Sequence, residues 1–203
     1  MKKAFFFDRD GTINEPVYKF DKEHKKMMDC AAVKLSELKI NENAKKVIDH
    51  IKTLDFIPIV ITNQPDFLKY NLPLKDYEEI TSKICSELGL QRAQVFECLH
   101  KEGFSLPCNC RKPLPGLFLM AKGMFKLDLK NSWLVGDSWK DIQAAELAGV
   151  KNTIFLEEKK EEGKAEGNEE SIEKMNSMNL KPRYIIKEIS EVISILKNQN
   201  IQE

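Results

Sequence analysis

The sequence has no excess of charge of either sign: its 203 residues carry 32 Lys and Arg against 32 Asp and Glu. That balance excludes a general nucleic-acid binder, which needs a basic face or stripe. No stretch approaches the ~20 apolar residues that span a bilayer. Nor does a polybasic segment lie beside an apolar one, as attachment to anionic lipid would require. Ala4–Phe7 follows Met1-Lys2-Lys3 but is cut off by Asp8, Arg9 and Asp10, too soon for the h-region of a secretory signal. A cytoplasmic monomer with no nucleic-acid or membrane partner is expected. Cysteine is sparse, at five residues. Cys30 and Cys85 stand alone and read as small hydrophobes. Cys98, Cys108 and Cys110 fall within 13 residues, and in a reducing compartment such a cluster points to metal rather than to disulfides.

There is no internal repeat. At 42% hydrophobic and 32% charged residues the composition is ordinary for a globular chain. Its length suits one domain, residues 1–203, that buries a core without disulfides. Short apolar runs alternate with amphipathic stretches. Strands are expected at Ala4–Phe7, Phe56–Ile61, Val95–Leu99, Trp133–Val135, Thr153–Leu156 and Tyr184–Ile186. Helices are expected at 42–54, Asp76–Leu88, Leu114–Phe125 and 139–148, with a last one carrying Ile189, Val192, Ile193 and Leu196. An acidic insertion over 157–180 begins with Glu157–Glu170, whose one apolar residue beyond glycine is Ala165, and reads as a solvated loop or mobile helix. Strand–helix alternation predicts a doubly wound, Rossmann-like α/β parallel sheet with helices on both faces. Ligands of such sheets bind beyond the C-terminal strand ends, where strand order reverses.

Polar motifs stand at those ends. Asp8-Arg9-Asp10-Gly11-Thr12 follows the first strand and Thr62-Asn63-Gln64 the second. Arg111-Lys112-Pro113 precedes a helix, and Gly136-Asp137 ends a strand with Asp141 four residues on. Any one of these is an ordinary turn or cap. Together, in this order and at element boundaries, they resemble the haloacid dehalogenase superfamily of phosphatases from Ala4 to about Leu156. The resemblance implies that Asp8 attacks phosphorus, forming an aspartyl-phosphate that splits one hard hydrolysis into two easier steps. Asp10 would protonate the leaving oxygen and then activate water. Thr62 and Lys112 would hold the phosphoryl oxygens as charge builds, with Gly11, Thr12 and Asn63 also at the phosphate. Mg²⁺, a cation that prefers hard oxygen ligands, would be held by Asp8, the Asp10 carbonyl and Asp137. Asp141 would orient Lys112 or the metal's waters.

Cys98-Leu99-His100 and Cys108-Asn109-Cys110 offer two pairs of soft ligands, the Cys₃His set of a closed tetrahedral Zn²⁺ site that is structural rather than catalytic. The run from Cys98 to Gly116 is similar to the zinc-loop branch of the superfamily, which includes D-glycero-D-manno-heptose 1,7-bisphosphate phosphatases and histidinol-phosphate phosphatases. The Pro115-Gly116 ending is closer to the heptose enzymes. The branch has no large cap domain. Its zinc loop, here residues 98–110, walls the entrance, and Arg111 beside it would contact substrate phosphate. The resemblance therefore implies hydrolysis of a small phosphorylated sugar, a heptose bisphosphate first and histidinol phosphate second. A zinc-stabilised module without activity would have lost Asp8 or Asp10, and both are present. Where the heptose enzymes carry Ser-Gly-Ile-Ala-Arg-Gly after Thr-Asn-Gln, this chain has Pro65-Asp66-Phe67-Leu68-Lys69-Tyr70. Lys69 keeps a positive charge there for a distal phosphate, while the glycines are gone.

Overall fold

A computed structural model describes residues 1–21, 25–65, 67, 71–100, 108–157 and 168–199. Six strands form one parallel sheet: β1 (Lys3–Phe7), β4 (Phe56–Asn63), β5 (Val95–Cys98), β6 (Trp133–Gly136), β7 (Asn152–Leu156) and β8 (Tyr184–Ile186). Their order is β5-β4-β1-β6-β7-β8. The chain first winds outward from β1 through β4 to β5, then returns to the other side of β1 and continues through β6 to β8. The reversal falls beside β1, so the crevice expected of an open parallel sheet lies at the C-terminal end of that strand.

β1 shows why the sheet is covered on both faces. Its side chains alternate, so Phe5 and Phe7 enter one buried cluster and Ala4 and Phe6 the other. On the Phe5/Phe7 face pack α1 (Ala44–Thr53), α2 (Leu74–Leu88) and α6 (Glu191–Gln199). They contribute Val47, Ile48 and Ile51, then Ile80, Ile84 and Leu88, then Val192 and Leu196, the i, i+3, i+4 stripes read from the sequence. The other face receives α3 (Gly116–Phe125), α4 (Trp139–Ala148) and α5 (Glu169–Ser177), anchored by Leu117, Phe118, Ile142 and Met175. No helix among the described residues is long and apolar enough to cross a membrane.

Two elements differ from the sequence expectation. A hairpin, β2 (Val17–Asp21) against β3 (Lys26–Cys30), rises between β1 and α1. Its sequence, Val17-Tyr18-Lys19-Phe20-Asp21 and onward, has no Asn-Gly or Asp-Gly pair to announce a turn. Bridges from Asn14 to Asp10 and to Ile40 close its base beside the first polar motif. It forms a two-stranded sheet apart from the main one. The second is α5, which lies in the insertion over 157–180 but almost wholly beyond the Glu157–Glu170 run read as a loop or mobile helix. Ile172 and Met175, three residues apart, give it an apolar edge on the core. Residues 158–167 lie outside those described.

Candidate active site

Asp8 follows β1 directly, and its backbone N–H donates to the Val135 carbonyl at 3.0 Å, tying the motif to the neighbouring strand. The chain then folds back on itself. The Arg9 carbonyl accepts from the amides of Thr12, Ile13 and Asn14 at 3.3, 3.0 and 3.1 Å. This turn needs Gly11 at φ +89°, and a Cβ there would lie 2.0 Å from Oδ2 of Asp137. The absent side chain is thus what lets the β1 and β6 carboxylates share one space.

Lys112 enters from the segment before α3 and is only 4% exposed. Its three ammonium protons meet three acceptors: Asp8 Oδ1 at 2.5 Å, the Ile61 carbonyl at 3.1 Å, and Asp141 Oδ1. Burial alone would depress the Lys112 pKa, but the carboxylates of Asp141 and Asp8 outweigh it and hold the amine protonated well above the usual lysine range. For Asp8 burial dominates. It pushes the carboxyl up to about 7 against the pull of Lys112, with Asp141 adding to the rise.

Asp141 has a second attachment. Its Oδ2 accepts the Ser138 backbone N–H at 3.1 Å, while the Ser138 hydroxyl accepts from Lys140 N at 3.2 Å. This capping box fixes the first turn of α4. Ligand oxygens of Asp8, Asp137 and Asp141 all lie within 4.8 Å of one another. Three convergent carboxylates, two of them buried, fit a hard divalent cation such as Mg²⁺. The side chain of Asp10 is not among these ligand atoms.

The Asp10 carboxylate is instead enclosed by donors. Gln64 Nε2 reaches Oδ2 at 2.6 Å, Arg9 Nε reaches the same oxygen at 3.0 Å, and Asn14 Nδ2 reaches Oδ1 at 3.0 Å. Gln64 Nε2 also donates to the Thr62 hydroxyl oxygen at 2.7 Å, which leaves the Thr62 proton to be given elsewhere. The structure therefore brings Asp8, Asp10, Thr62, Lys112, Asp137 and Asp141 to one place. One expected phosphate contact has other employment. Asn63 uses both ends of its amide on the Lys112 peptide, donating to its carbonyl at 3.0 Å and accepting its N–H at 2.9 Å. Thr12 is fully buried within the turn. Lys69 lies outside the described residues. Phe67 stands edge-on to Tyr77 of α2, with ring centroids 5.3 Å apart.

The second cluster stands beyond β5. Ligand atoms of Cys98, His100, Cys108 and Cys110 lie within 4.8 Å of one another, with His100 Nδ1 3.2 Å from Cys110 Sγ and 3.4 Å from Cys98 Sγ. Burial and the neighbouring sulfurs push the Cys110 thiol up to about 12, whereas Cys108, receiving backbone N–H bonds from Arg111 and Cys110, sits lowered at about 7 despite partial burial. Several thiols so close resist ionising together, and a Zn²⁺ ion is the charge that would allow it, so the donor set fits that metal. Arg111 donates from its guanidinium to the His100 carbonyl, spanning the two ligand pairs. A Cβ at Gly116 would lie 2.1 Å from the Asn109 carbonyl, so glycine there lets α3 start against the second pair.

Sequence reasoning missed Arg9 and Gln64 as site residues. Their signal was a cation between two aspartates at the end of a buried strand, and an amide two positions past Thr62.

A family model for haloacid dehalogenase-like hydrolases matches residues 15–149, and a HAD-hydrolase-like model matches 109–192. A D-glycero-alpha-D-manno-heptose-1,7-bisphosphate 7-phosphatase of Campylobacter jejuni is 29% identical over 79% of this chain and 86% of its own. A D-glycero-beta-D-manno-heptose-1,7-bisphosphate 7-phosphatase of Helicobacter pylori is 31% identical over 76% and 83% respectively. The solved structure of D,D-heptose 1,7-bisphosphate phosphatase from B. bronchiseptica, complexed with magnesium and phosphate, matches in fold with a TM-score of 0.72 at 21% identity, over 97% of this chain and 99% of that one.

Proposed function

The chain belongs to the haloacid dehalogenase-like hydrolases and is a phosphatase, and from that premise we propose that it removes the 7-phosphate of a D-glycero-D-manno-heptose 1,7-bisphosphate through an aspartyl-phosphate at Asp8. The observation that carries the chemistry is the buried contact of Asp8 with Lys112, with Asp137 and Asp141 alongside. An anionic nucleophile and an anionic ester meet only where fixed positive charge offsets their repulsion.

In the first half-reaction Asp8 forms a bond to phosphorus and the bond to the sugar oxygen breaks, with Asp10 giving that oxygen its proton. In the second, water attacks phosphorus, Asp10 takes the proton, and the acyl-phosphate bond breaks to release phosphate and restore Asp8. Lys112 supports the charge on the transferring group, and the Thr62 hydroxyl donates to a phosphoryl oxygen. Asn63 holds the Lys112 backbone on β4 and so fixes the reach of the amine. Asp8, Asp137, Asp141 and the Asp10 carbonyl would hold Mg²⁺, which would supply further charge neutralisation at the phosphate. Cys98, His100, Cys108 and Cys110 would hold Zn²⁺, a structural tie beside Arg111, which is proposed to meet a substrate phosphate.

The test is phosphate release across both anomers of heptose bisphosphate, histidinol phosphate and common sugar monophosphates. The reading expects kcat/KM for one heptose anomer to exceed the others by about tenfold or more. Equal or better turnover of histidinol phosphate would overturn the substrate assignment and leave the phosphatase chemistry standing.

A further inference from the structure

We infer that Arg9 is a positioning residue for the acid–base step, holding Asp10 and Gln64 in one clamp; this rests on Asp10 being the acid–base group of the phosphatase reading. Arg9 is 1% exposed and carries its charge into the core at the end of β1. Burying a guanidinium is costly, and replacing a whole buried ion pair by apolar residues is often neutral or stabilising, so stability alone does not account for one here. Its Nη1 has no hydrogen-bond partner among the described residues, so those residues do not fully compensate that cost. The two nitrogens that are paired both point into the acid–base constellation.

Nε donates to Asp10 Oδ2 at 3.0 Å, and Nη2 donates to Gln64 Oε1 at 2.5 Å. These nitrogens occupy one edge of a planar group, so the fork fixes the spacing of Asp10 and Gln64. With its oxygen turned to Arg9, the Gln64 amide must present its NH₂ to the other side. There it bridges Asp10 Oδ2 at 2.6 Å and Thr62 Oγ1 at 2.7 Å. One guanidinium thus sets the distance between the proton-transfer carboxylate and a hydroxyl that holds the phosphoryl group. Tyr77 covers it, with the guanidinium carbon 5.9 Å from the ring centroid, and Phe67 stands edge-on to that same ring. Behind this aromatic screen water competes poorly for the fork, and its bonds are stronger than on a surface. The turn around Arg9 is built from its backbone carbonyl and not from its side chain, so the side chain is separable from the loop it sits in.

A misplaced acid hurts most where the leaving oxygen needs its proton. Arg9→Met, Arg9→Lys and Gln64→Leu are compared with wild type by kcat/KM on a primary sugar phosphate and on p-nitrophenyl phosphate, whose leaving group departs unaided. Arg9→Met and Gln64→Leu are expected to lose about 100-fold on the sugar phosphate and less than about tenfold on the aryl ester, since general acid catalysis contributes about 10²–10⁴. Arg9→Lys keeps the charge but cannot reach both partners, and its loss on the sugar phosphate falls between. Equal losses on both esters would make Arg9 structural and overturn the inference. If Arg9→Met fails to fold, Gln64→Leu carries the same comparison. Crystal structures of these variants give a readout independent of turnover, with Asp10 expected to leave the Thr62 side. Asp10 unmoved in a variant that lacks the clamp would overturn the inference even if wild type hydrolysed no ester, an outcome that would itself defeat the phosphatase reading.

Discussion

Asp8 and Lys112, 104 residues apart in sequence, meet in a buried ion pair with Nζ 2.5 Å from Oδ1, and the same amine also contacts Asp141. One cation is therefore shared between two carboxylates that would otherwise face each other in a low-dielectric site. Removing one partner of a buried pair leaves an uncompensated charge, at about 3–5 kcal/mol. The two ends of this pair are unequal, because Lys112 has two anionic partners and Asp8 has one cationic partner.

Asp8→Asn should abolish phosphate release and remain folded. The amide oxygen still accepts from Lys112, and Asp141 still balances the amine. Lys112→Met should also abolish release but destabilise the metal-free protein, by about 3 kcal/mol or more. Chemical denaturation of the two variants checks the order, and equal stability would mean that Asp141 does not depend on Lys112.

The raised pKa of Asp8 fixes the sign of a pH effect. Folded Asp8 titrates near 7 and binds its proton more tightly than the unfolded chain does. Its contribution to stability is complete below the ordinary carboxylate range and is lost as pH rises toward 7. Lys112 changes nothing in that window, since its own pKa lies above it. The melting temperature of the metal-free protein should carry a downward component through this range that Asp8→Asn removes. Mg²⁺ requires the ionised carboxylate, so the stabilisation it adds should be larger at pH 8 than at pH 5.5. Differential scanning fluorimetry with and without Mg²⁺ at the two pH values measures both effects.

The Cys98, His100, Cys108 and Cys110 cluster predicts about one equivalent of tightly held Zn²⁺ in protein purified without added zinc. Cys108→Ser should lower that content and the melting temperature together. Inductively coupled plasma mass spectrometry of the folded, active enzyme decides the point, and a full complement of activity without zinc would count against the cluster as a metal site.

Much of this arrangement was legible in the chain because its signals are local. Ala4–Phe7, Phe56–Ile61 and Trp133–Val135 announce buried strands by unbroken apolar runs, and each is followed at once by the polar residues of the site. Gly89 and Gly149 mark two helix ends where left-handed backbone was needed. What stayed hidden depends on partners distant in sequence. The Val17–Cys30 hairpin has charged residues where a turn pair would give it away. Asn63 could be placed at the strand end, but not its grip on the Lys112 peptide 49 residues on. The place of Arg9 depends on Gln64, which follows β4, and on Tyr77 of α2, both distant from it in sequence. Asp141 was legible as a partner of Lys112, whereas its place among the carboxylates depends on the capping box that turns α4 toward β1.

Two glycines separate the metal sites from each other by experiment. At Gly11 the backbone has φ +89°, which strains any side chain, and a Cβ would sit 2.0 Å from the Asp137 carboxylate. Asp137 must then move by an ångström or more. Misplacement on that scale costs about 100-fold in rate even when every functional group is retained. Gly11→Ala should therefore lower phosphate release by about that factor and weaken the apparent affinity for Mg²⁺, with zinc content unchanged. At Gly116 the collision is with the Asn109 carbonyl, between Cys108 and Cys110. Backbone cannot rotate away as a side chain can, so Gly116→Ala should disturb the Cys108–Cys110 pair and reduce zinc content at limiting metal. Measuring both metals and phosphate release in both variants tests the separation. Loss of zinc in Gly11→Ala would show that the β1 turn and the zinc loop are held by each other rather than by the sheet between them.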